Sequence, residues 1–248
     1  KNRRVVVDVA AEQVPEDGEV VLRVEDTPYA CSGAPGRLSL KMDRFESWSP
    51  KQPVLYRLTA ELRHKGVLLD RTSLRFGMRE FTVKDDRFHL NHHPIFIRGV
   101  LYQPDYARSL AAPEIDALAR KEIEQTKAAG FNLIRVHIKP APEILLELAD
   151  ELGMLVYEEP SIGWIKKSAF MKARCEQSVR EMILRDRNHP SVVIWGMLNE
   201  TGNGKYVTHG GAQEVKDDLC RLARRLDPSR VVIDDSGING LSPLTLAQ

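Results

Sequence analysis

Val192-Val193-Ile194-Trp195-Gly196-Met197-Leu198-Asn199-Glu200 is an unbroken apolar run that ends in an amide and a carboxylic acid. Its Val and Ile content, with Asn188-His189-Pro190 just before it, reads as a strand buried on both faces. Asn199 and Glu200 then stand where that strand stops, ahead of the loop Thr201-Gly202-Asn203-Gly204. Strands buried on both faces belong to parallel sheets, and an α/β barrel keeps its chemistry at their carboxyl ends. Glu200 is therefore the first candidate for a general acid/base.

Helices and strands alternate around this stretch. Pro113 to Ala129 repeats apolar residues on one helical face and is followed by Gly130 and the strand Phe131–Ile138. Helix Pro142–Leu152 is closed by Gly153 and leads into Met154-Leu155-Val156-Tyr157. Helix Ser168–Arg187 leads into the Trp195 strand, and helix Gln213–Leu226 into Arg230-Val231-Val232-Ile233. With Ile95–Val100 in front, this makes five strands separated by four helices, which predicts right-handed crossovers and a parallel sheet. A doubly wound sheet is the alternative, but no glycine-rich phosphate loop follows any of the strands. The pattern fits the first five βα units of a (β/α)8 TIM barrel, a fold that needs about 250 residues when complete. A bare partial barrel leaves two strand edges open, so the rest of a parent polypeptide or a second copy is expected to cover them.

Residues 1–80 read differently. Arg4–Val9, Glu19–Val24, Arg37–Met42 and Leu55–Leu62 are short alternating strands set apart by Pro, Gly, Asp and Ser. They predict an immunoglobulin-like β-sandwich over 1–80, ahead of a barrel over 81–248. Between the two, Phe81-Thr82-Val83 is a further strand, with Asp85-Asp86 and Asn91-His92-His93-Pro94 as turns. His89, His92 and His93 have no carboxylate at a ligand-like spacing, and no metal site is expected from them.

Net charge is +1, with 36 basic and 35 acidic residues spread along the chain, so neither nucleic acid nor a membrane is expected as partner. The three cysteines (Cys31, Cys175 and Cys220) are too few and scattered for a disulfide framework, which mildly favours a reducing compartment. The first residue is Lys1 and not methionine, so localisation stays open.

Each predicted barrel strand delivers polar groups at its carboxyl end. They are Arg135, His137 and Lys139, then Glu158 and Glu159, then Asn199 and Glu200, then Asp234 and Asp235. In a barrel these ends share one mouth. Arg, His, several carboxylates and the nearby Trp164, as a stacking ring or as ordinary loop packing, suit a neutral, hydroxyl-rich substrate such as a sugar. Glycoside cleavage needs one carboxylic acid to protonate the leaving oxygen and a second carboxylate as nucleophile or base. No nucleophile elbow is present for a serine hydrolase. The candidate site is thus Glu200 as catalyst, with Asn199, Arg135, His137, Glu159, Trp164 and Asp234 against the substrate.

At these residues the chain resembles glycoside hydrolase family 2, the β-galactosidase, β-glucuronidase and β-mannosidase group. Trp48-Ser49-Pro50 through Tyr56, and Phe76-Gly77-Met78-Arg79, are similar to the family's immunoglobulin-like domain and its exit. Arg98-Gly99-Val100 and Gly130-Phe131-Asn132-Leu133-Ile134-Arg135 resemble its first two barrel strands. Asp186-Arg187-Asn188-His189-Pro190-Ser191-Val192, continuing to Trp195 and Asn199-Glu200, is the most specific match, and Asp227-Pro228-Ser229-Arg230 fits the approach to strand five. The resemblance implies a retaining exo-β-glycosidase without cofactor, in which Glu200 is the acid/base and Asn199 bonds the hydroxyl beside the anomeric carbon. Its nucleophile would be a glutamate on strand seven, outside this sequence. Leu101-Tyr102-Gln103 and His137-Ile138-Lys139-Pro140 depart from the family's usual continuations. Ser161-Ile162-Gly163-Trp164 lacks the Glu and His that help hold magnesium in some β-galactosidases, so no metal and no particular sugar is implied. Two other readings are a non-catalytic sugar-binding or assembly fragment, and a different glycosidase barrel of the same clan.

Overall fold

The structure is a computed structural model that describes residues 3–110, 113, 116–163, 167–201 and 212–236. The chain forms two compact units, Lys1–Ser47 with Val54–Met78, and Trp48–Pro53 with Arg79–Gln248.

In the first unit, β1 (Arg4–Val9), β2 (Gly18–Val24), β3 (Ala30–Gly33), β4 (Gly36–Lys41), β5 (Tyr56–His64) and β6 (Val67–Phe76) form two sheets. One holds β1 and β4, and the other runs β3-β2-β5-β6, all antiparallel. Alternation decides the faces: Val20, Leu22 and Val24 are buried while Arg23 is exposed. With Leu40, Met42, Leu58 and Phe76 they make the core of the sandwich. In this unit two strands escape the sequence reading, β3 and β6. β6 leaves its first seven residues exposed, so it has no buried face to imprint a period of two. It is held by its ladder to β5 and by a turn with Lys65 at φ 50° and Gly66 at φ 83°, the type I′ geometry that matches strand twist.

The second unit opens with β7 (Phe81–Lys84), β8 (Arg87–Leu90) and β9 (His93–Pro94), an antiparallel meander turned at Asp85 and Asp86. Then come β10 (Gly99–Tyr102), α1 (Asp116–Ala128), β11 (Leu133–Val136), α2 (Glu143–Leu152), β12 (Leu155–Glu158), α3 (Met171–Asp186), β13 (Val192–Asn199), α4 (Ala212–Leu226) and β14 (Val231–Ser236). Strands β10 to β14 pair in sequence order and all in parallel, as the alternation predicts. The first of them starts at Gly99 and not at Ile95. Ahead of it, Asn132 takes the place of a ladder: its side chain accepts from Arg98 N at 2.8 Å and donates to Phe96 O at 2.9 Å. Every residue of β13 is buried, and Val192, Trp195, Met197 and Leu198 pack in the same core as Leu145, Val179, Ile183 and Leu219 of the helices. Gly153, at φ 72°, closes α2 in the left-handed conformation, with its N–H on Ala149 O at 3.0 Å. No helix among the described residues is long and apolar enough to cross a membrane.

The segment from Asp186 to Val192 is scaffold. Asp150 accepts from His189 Nδ1 at 2.7 Å and from Ser191 N at 2.9 Å, while its own carbonyl takes Trp48 Nε1 at 2.8 Å. Arg230 donates to the carbonyls of Arg187, His189 and Val192 and pairs with Asp227. Its guanidinium lies 5.6 Å from the Trp195 ring centre, and Trp195 Nε1 donates to the same Asp227 carboxylate at 3.1 Å. Arg79 donates to the carbonyls of Pro190 and Val192. These groups tie down the amino end of β13, the end of a barrel strand where constraint means stability and not chemistry.

Candidate active site

Past the other ends of the strands, side chains from four strands meet. Arg135 of β11 donates through Nε to Glu159 Oε1 at 3.2 Å, and its Nη2 lies 3.1 Å from Glu159 Oε2. Nη2 also reaches Ser236 Oγ of β14 at 2.7 Å and the amide oxygen of Asn199 at the end of β13. Ser236 Oγ donates to Glu159 Oε1 at 2.7 Å, and His137 Nδ1 lies 3.3 Å from Glu159 Oε2. The guanidinium stands over the Tyr157 ring, 5.4 Å from its centre. Glu159 and Asn199 are buried, and polar groups so enclosed need hydrogen-bond partners. The Tyr157 hydroxyl is pushed up above the ordinary tyrosine range by burial and by the neighbouring Glu159 charge.

Glu200 follows at once. It is exposed, and its backbone is in the left-handed region at φ 52°, which costs a non-glycine residue on the order of 1 kcal/mol. Ties to β14 hold it there: Glu200 N donates to Ser236 O at 2.8 Å, and Thr201 bonds the Asp235 carboxylate through both its backbone N–H and its hydroxyl. Burial raises the Asp235 carboxyl above its ordinary value against the pull of those Thr201 bonds. The strained turn presents the Glu200 side chain to solvent beside the buried Asn199.

Of the residues expected to line the site, Arg135, His137, Glu159 and Asn199 come together. Asp234 does not: it is buried, with Lys216 Nζ of α4 at 3.4 Å. It lies two residues beyond Val232, which packs in the core shared with the helices. The residue of β14 that joins the cluster is Ser236, at the strand's last position. A hydroxyl two residues past an acid at a strand end was its only signal in the sequence. Glu158 likewise faces the helices, where its carboxylate accepts from Ala141 N at 2.8 Å and Arg185 Nη2 lies 3.7 Å away. Lys139 pairs with Asp105 at 2.7 Å. Trp164 lies outside the described residues. Among the described residues no group of three or more His, Cys, Asp or Glu side chains is placed to hold a metal ion.

A parallel sheet flanked by helices in strict sequence order, with Arg135, Glu159 and Asn199 gathered past the carboxyl ends, is the architecture of part of a βα barrel. Residues 81–239 match the family model described as "Glycosyl hydrolases family 2, TIM barrel domain", and residues 1–79 match that of "Glycosyl hydrolases family 2". The chain belongs to glycosyl hydrolase family 2. It is 32% identical over 200 residues to a β-galactosidase of Enterobacter cloacae, covering 77% of this chain and 18% of that protein. It is 30% identical over 244 residues to a β-glucuronidase of Paenibacillus borealis, covering 92% of this chain and 40% of the relative. Among solved structures, β-glucuronidase 3 of Bacteroides uniformis superposes with a TM-score of 0.78 at 30% identity, over 92% of this chain and 30% of that one. A family 2 β-galacturonidase of Eisenbergiella tayi bound to galacturonate gives 0.75 at 30% identity, over 87% and 40%. The chain thus spans well under half the length of these relatives.

Proposed function

We propose that the chain carries the acid/base half of a retaining exo-β-glycosidase site. Glu200 protonates the leaving oxygen of a terminal β-linked sugar and then draws a proton from the water that completes hydrolysis. The observation that carries this reading is the end of β13, where an exposed glutamate in a strained turn adjoins a buried asparagine whose amino group has no partner among the described residues. Strain of that kind persists where surrounding contacts enforce it and is typical of working sites. The relatives named β-galactosidase and β-glucuronidase support a β-glycosidase.

A retaining mechanism needs a second carboxylate about 5 Å from the first, across the glycosidic bond. Glu159 is taken up by Arg135, Ser236 and His137, and Glu158 is turned to the helices, so neither is free to attack a sugar. The nucleophile is assigned to a later barrel strand, outside this chain, and Arg135, His137 and Glu159 shape the bottom of the sugar site. The later strands, or a second copy, cover the outer edges of β10 and β14.

Glu200→Gln in the full-length polypeptide is expected to abolish cleavage of unactivated glycosides while leaving the fold intact. Full activity in that variant ends the proposal. The open edges favour one second reading, an assembly fragment inactive by itself. Turnover of nitrophenyl glycosides by residues 1–248 alone would refute it.

A further inference from the structure

We propose that Ser236 is a positioning residue that acts through Arg135 on Asn199, fixing the carboxamide so that its amino group is kept as a free donor for a substrate oxygen. This rests on the reading of the β13 end as a glycosidase site.

The argument is a count of protons. Nη2 of Arg135 carries two. Within its reach are Asn199 Oδ1, Ser236 Oγ at 2.7 Å, Glu159 Oε1 at 3.0 Å and Oε2 at 3.1 Å, and His137 Nδ1 at 3.2 Å. The first two are the nearest and take the protons. Ser236 has one proton and three acceptors: Glu159 Oε1 at 2.7 Å, Asn199 Oδ1 at 3.1 Å and Leu198 O at 3.2 Å. The closest is also the charged one, so Ser236 donates to Glu159 and accepts from Arg135.

Arginine only donates, so the Asn199 atom that faces it must be the oxygen. A flipped amide would set N–H against a guanidinium and lose the bond. The amide nitrogen is thereby directed elsewhere, and it is buried without a partner among the described residues. An enclosed N–H left unmade costs about 1–3 kcal/mol, and the group that relieves it must be an acceptor oxygen. In a glycosidase that acceptor is a sugar hydroxyl beside the bond being cleaved.

Ser236 enters because it holds the second Nη2 proton. Without its hydroxyl that proton turns to Glu159, the guanidinium is drawn towards the carboxylate, and the asparagine oxygen is no longer pinned. The loss falls on one substrate contact and not on the fold.

The test is Ser236→Ala in the full-length polypeptide, assayed on a nitrophenyl glycoside and on its analogue lacking the hydroxyl next to the anomeric carbon. The expected result is a loss of about tenfold in kcat/KM on the first substrate, with the second within about twofold of the unaltered protein. The pH profile should not move, and Ser236→Thr, which keeps the hydroxyl, should restore the difference. Should Ser236→Ala fail to fold, Ser236→Cys keeps the volume but offers only a weak hydrogen-bonding thiol, and is expected to show the same selective loss. Equal losses on both substrates, or no loss on either, overturn the proposal. Glu200→Gln measured alongside separates the two readings. Full activity of Glu200→Gln on an unactivated glycoside removes the glycosidase reading itself, whereas an inactive Glu200→Gln with an indiscriminate Ser236→Ala removes only the positioning role.

Discussion

Gly196 sits in the middle of β13, and what a methyl there would strike can be stated atom by atom. A Cβ built on it lies 2.5 Å from Tyr157 Cε2, 2.8 Å from the Tyr157 hydroxyl and 2.8 Å from Glu159 Cγ. Ordinary carbon contacts begin near ~3.5 Å, so the ring must retreat by roughly 1 Å. Tyr157 is buried and lies under the Arg135 guanidinium, and Glu159 is bonded by Arg135, Ser236 and His137, so neither can move alone. Overpacking of this sort costs about 1–3 kcal/mol. Gly→Ala returns about 0.4–1 kcal/mol by restricting the unfolded chain. Gly196→Ala is therefore expected to destabilise the second unit by about 1–2 kcal/mol. That is a drop of roughly 0.5–1 M in the urea midpoint. The assay is tryptophan fluorescence, because Trp48, Trp164 and Trp195 all fall in the segments of the second unit and the sandwich has no tryptophan. Replacing the ring as well, in Gly196→Ala/Tyr157→Leu, should recover part of the loss as a coupling energy between the two positions. A Gly196→Ala protein that unfolds at the unaltered midpoint, with no coupling to Tyr157, would refute the reasoning.

Two further outcomes concern buried charge. Burial, then the Asp186 carboxylate, raises Glu158 well above its ordinary value. A proton held more tightly in the folded state gives stability that is fully present below the ordinary glutamate pKa, near ~4.3, and is lost as pH rises through the folded value. Glu158→Gln should therefore flatten the decline in stability from about pH 4.5 upward, seen as a Tm that varies less with pH than the unaltered protein's. A parallel decline in both proteins counts against it. Asp227→Asn strips the carboxylate from Arg230, which is buried among backbone carbonyls, and breaking such a pair costs about 3–5 kcal/mol. A change under about 1 kcal/mol in urea denaturation would mean that the carbonyls alone satisfy the guanidinium.

The helix and strand order of the barrel unit was legible because each element carries its own local physics. Apolar residues recur with the helical period, Gly153 closes α2, and β13 is apolar throughout because both its faces are covered. β6 and β8 were not legible, since their pairing is a matter of backbone and turn geometry that side-chain pattern does not record. The stretch from Asp186 to Val192 shows the reverse case. Its residues stand out strongly in the sequence, yet they fasten the amino end of β13 and take no part in the candidate chemistry.

The sequence by itself determined that Asn199 and Glu200 stand at the end of a buried parallel strand, and so adjoin an open end of the sheet. Only the tertiary structure decided which neighbours join them. Glu158 and Glu159 are adjacent and chemically alike, yet one is turned to the helices and the other to the cluster. At the end of β14, Asp234 goes to the helices and Ser236 to Glu159. Glu158 and Glu159 part because neighbouring residues of a strand face opposite ways, with the phase set by pairing. Ser236, in contrast, has the parity of Asp234 and reaches the cluster at the strand's last position, paired with Asn199. One extra residue in β13, between Val192 and Ile194, shifts its pairing with Val156 and Tyr157 and resets which side chains meet. A single chain position has no record of that partner, so the choice between two neighbouring acids is made only when the strands pair.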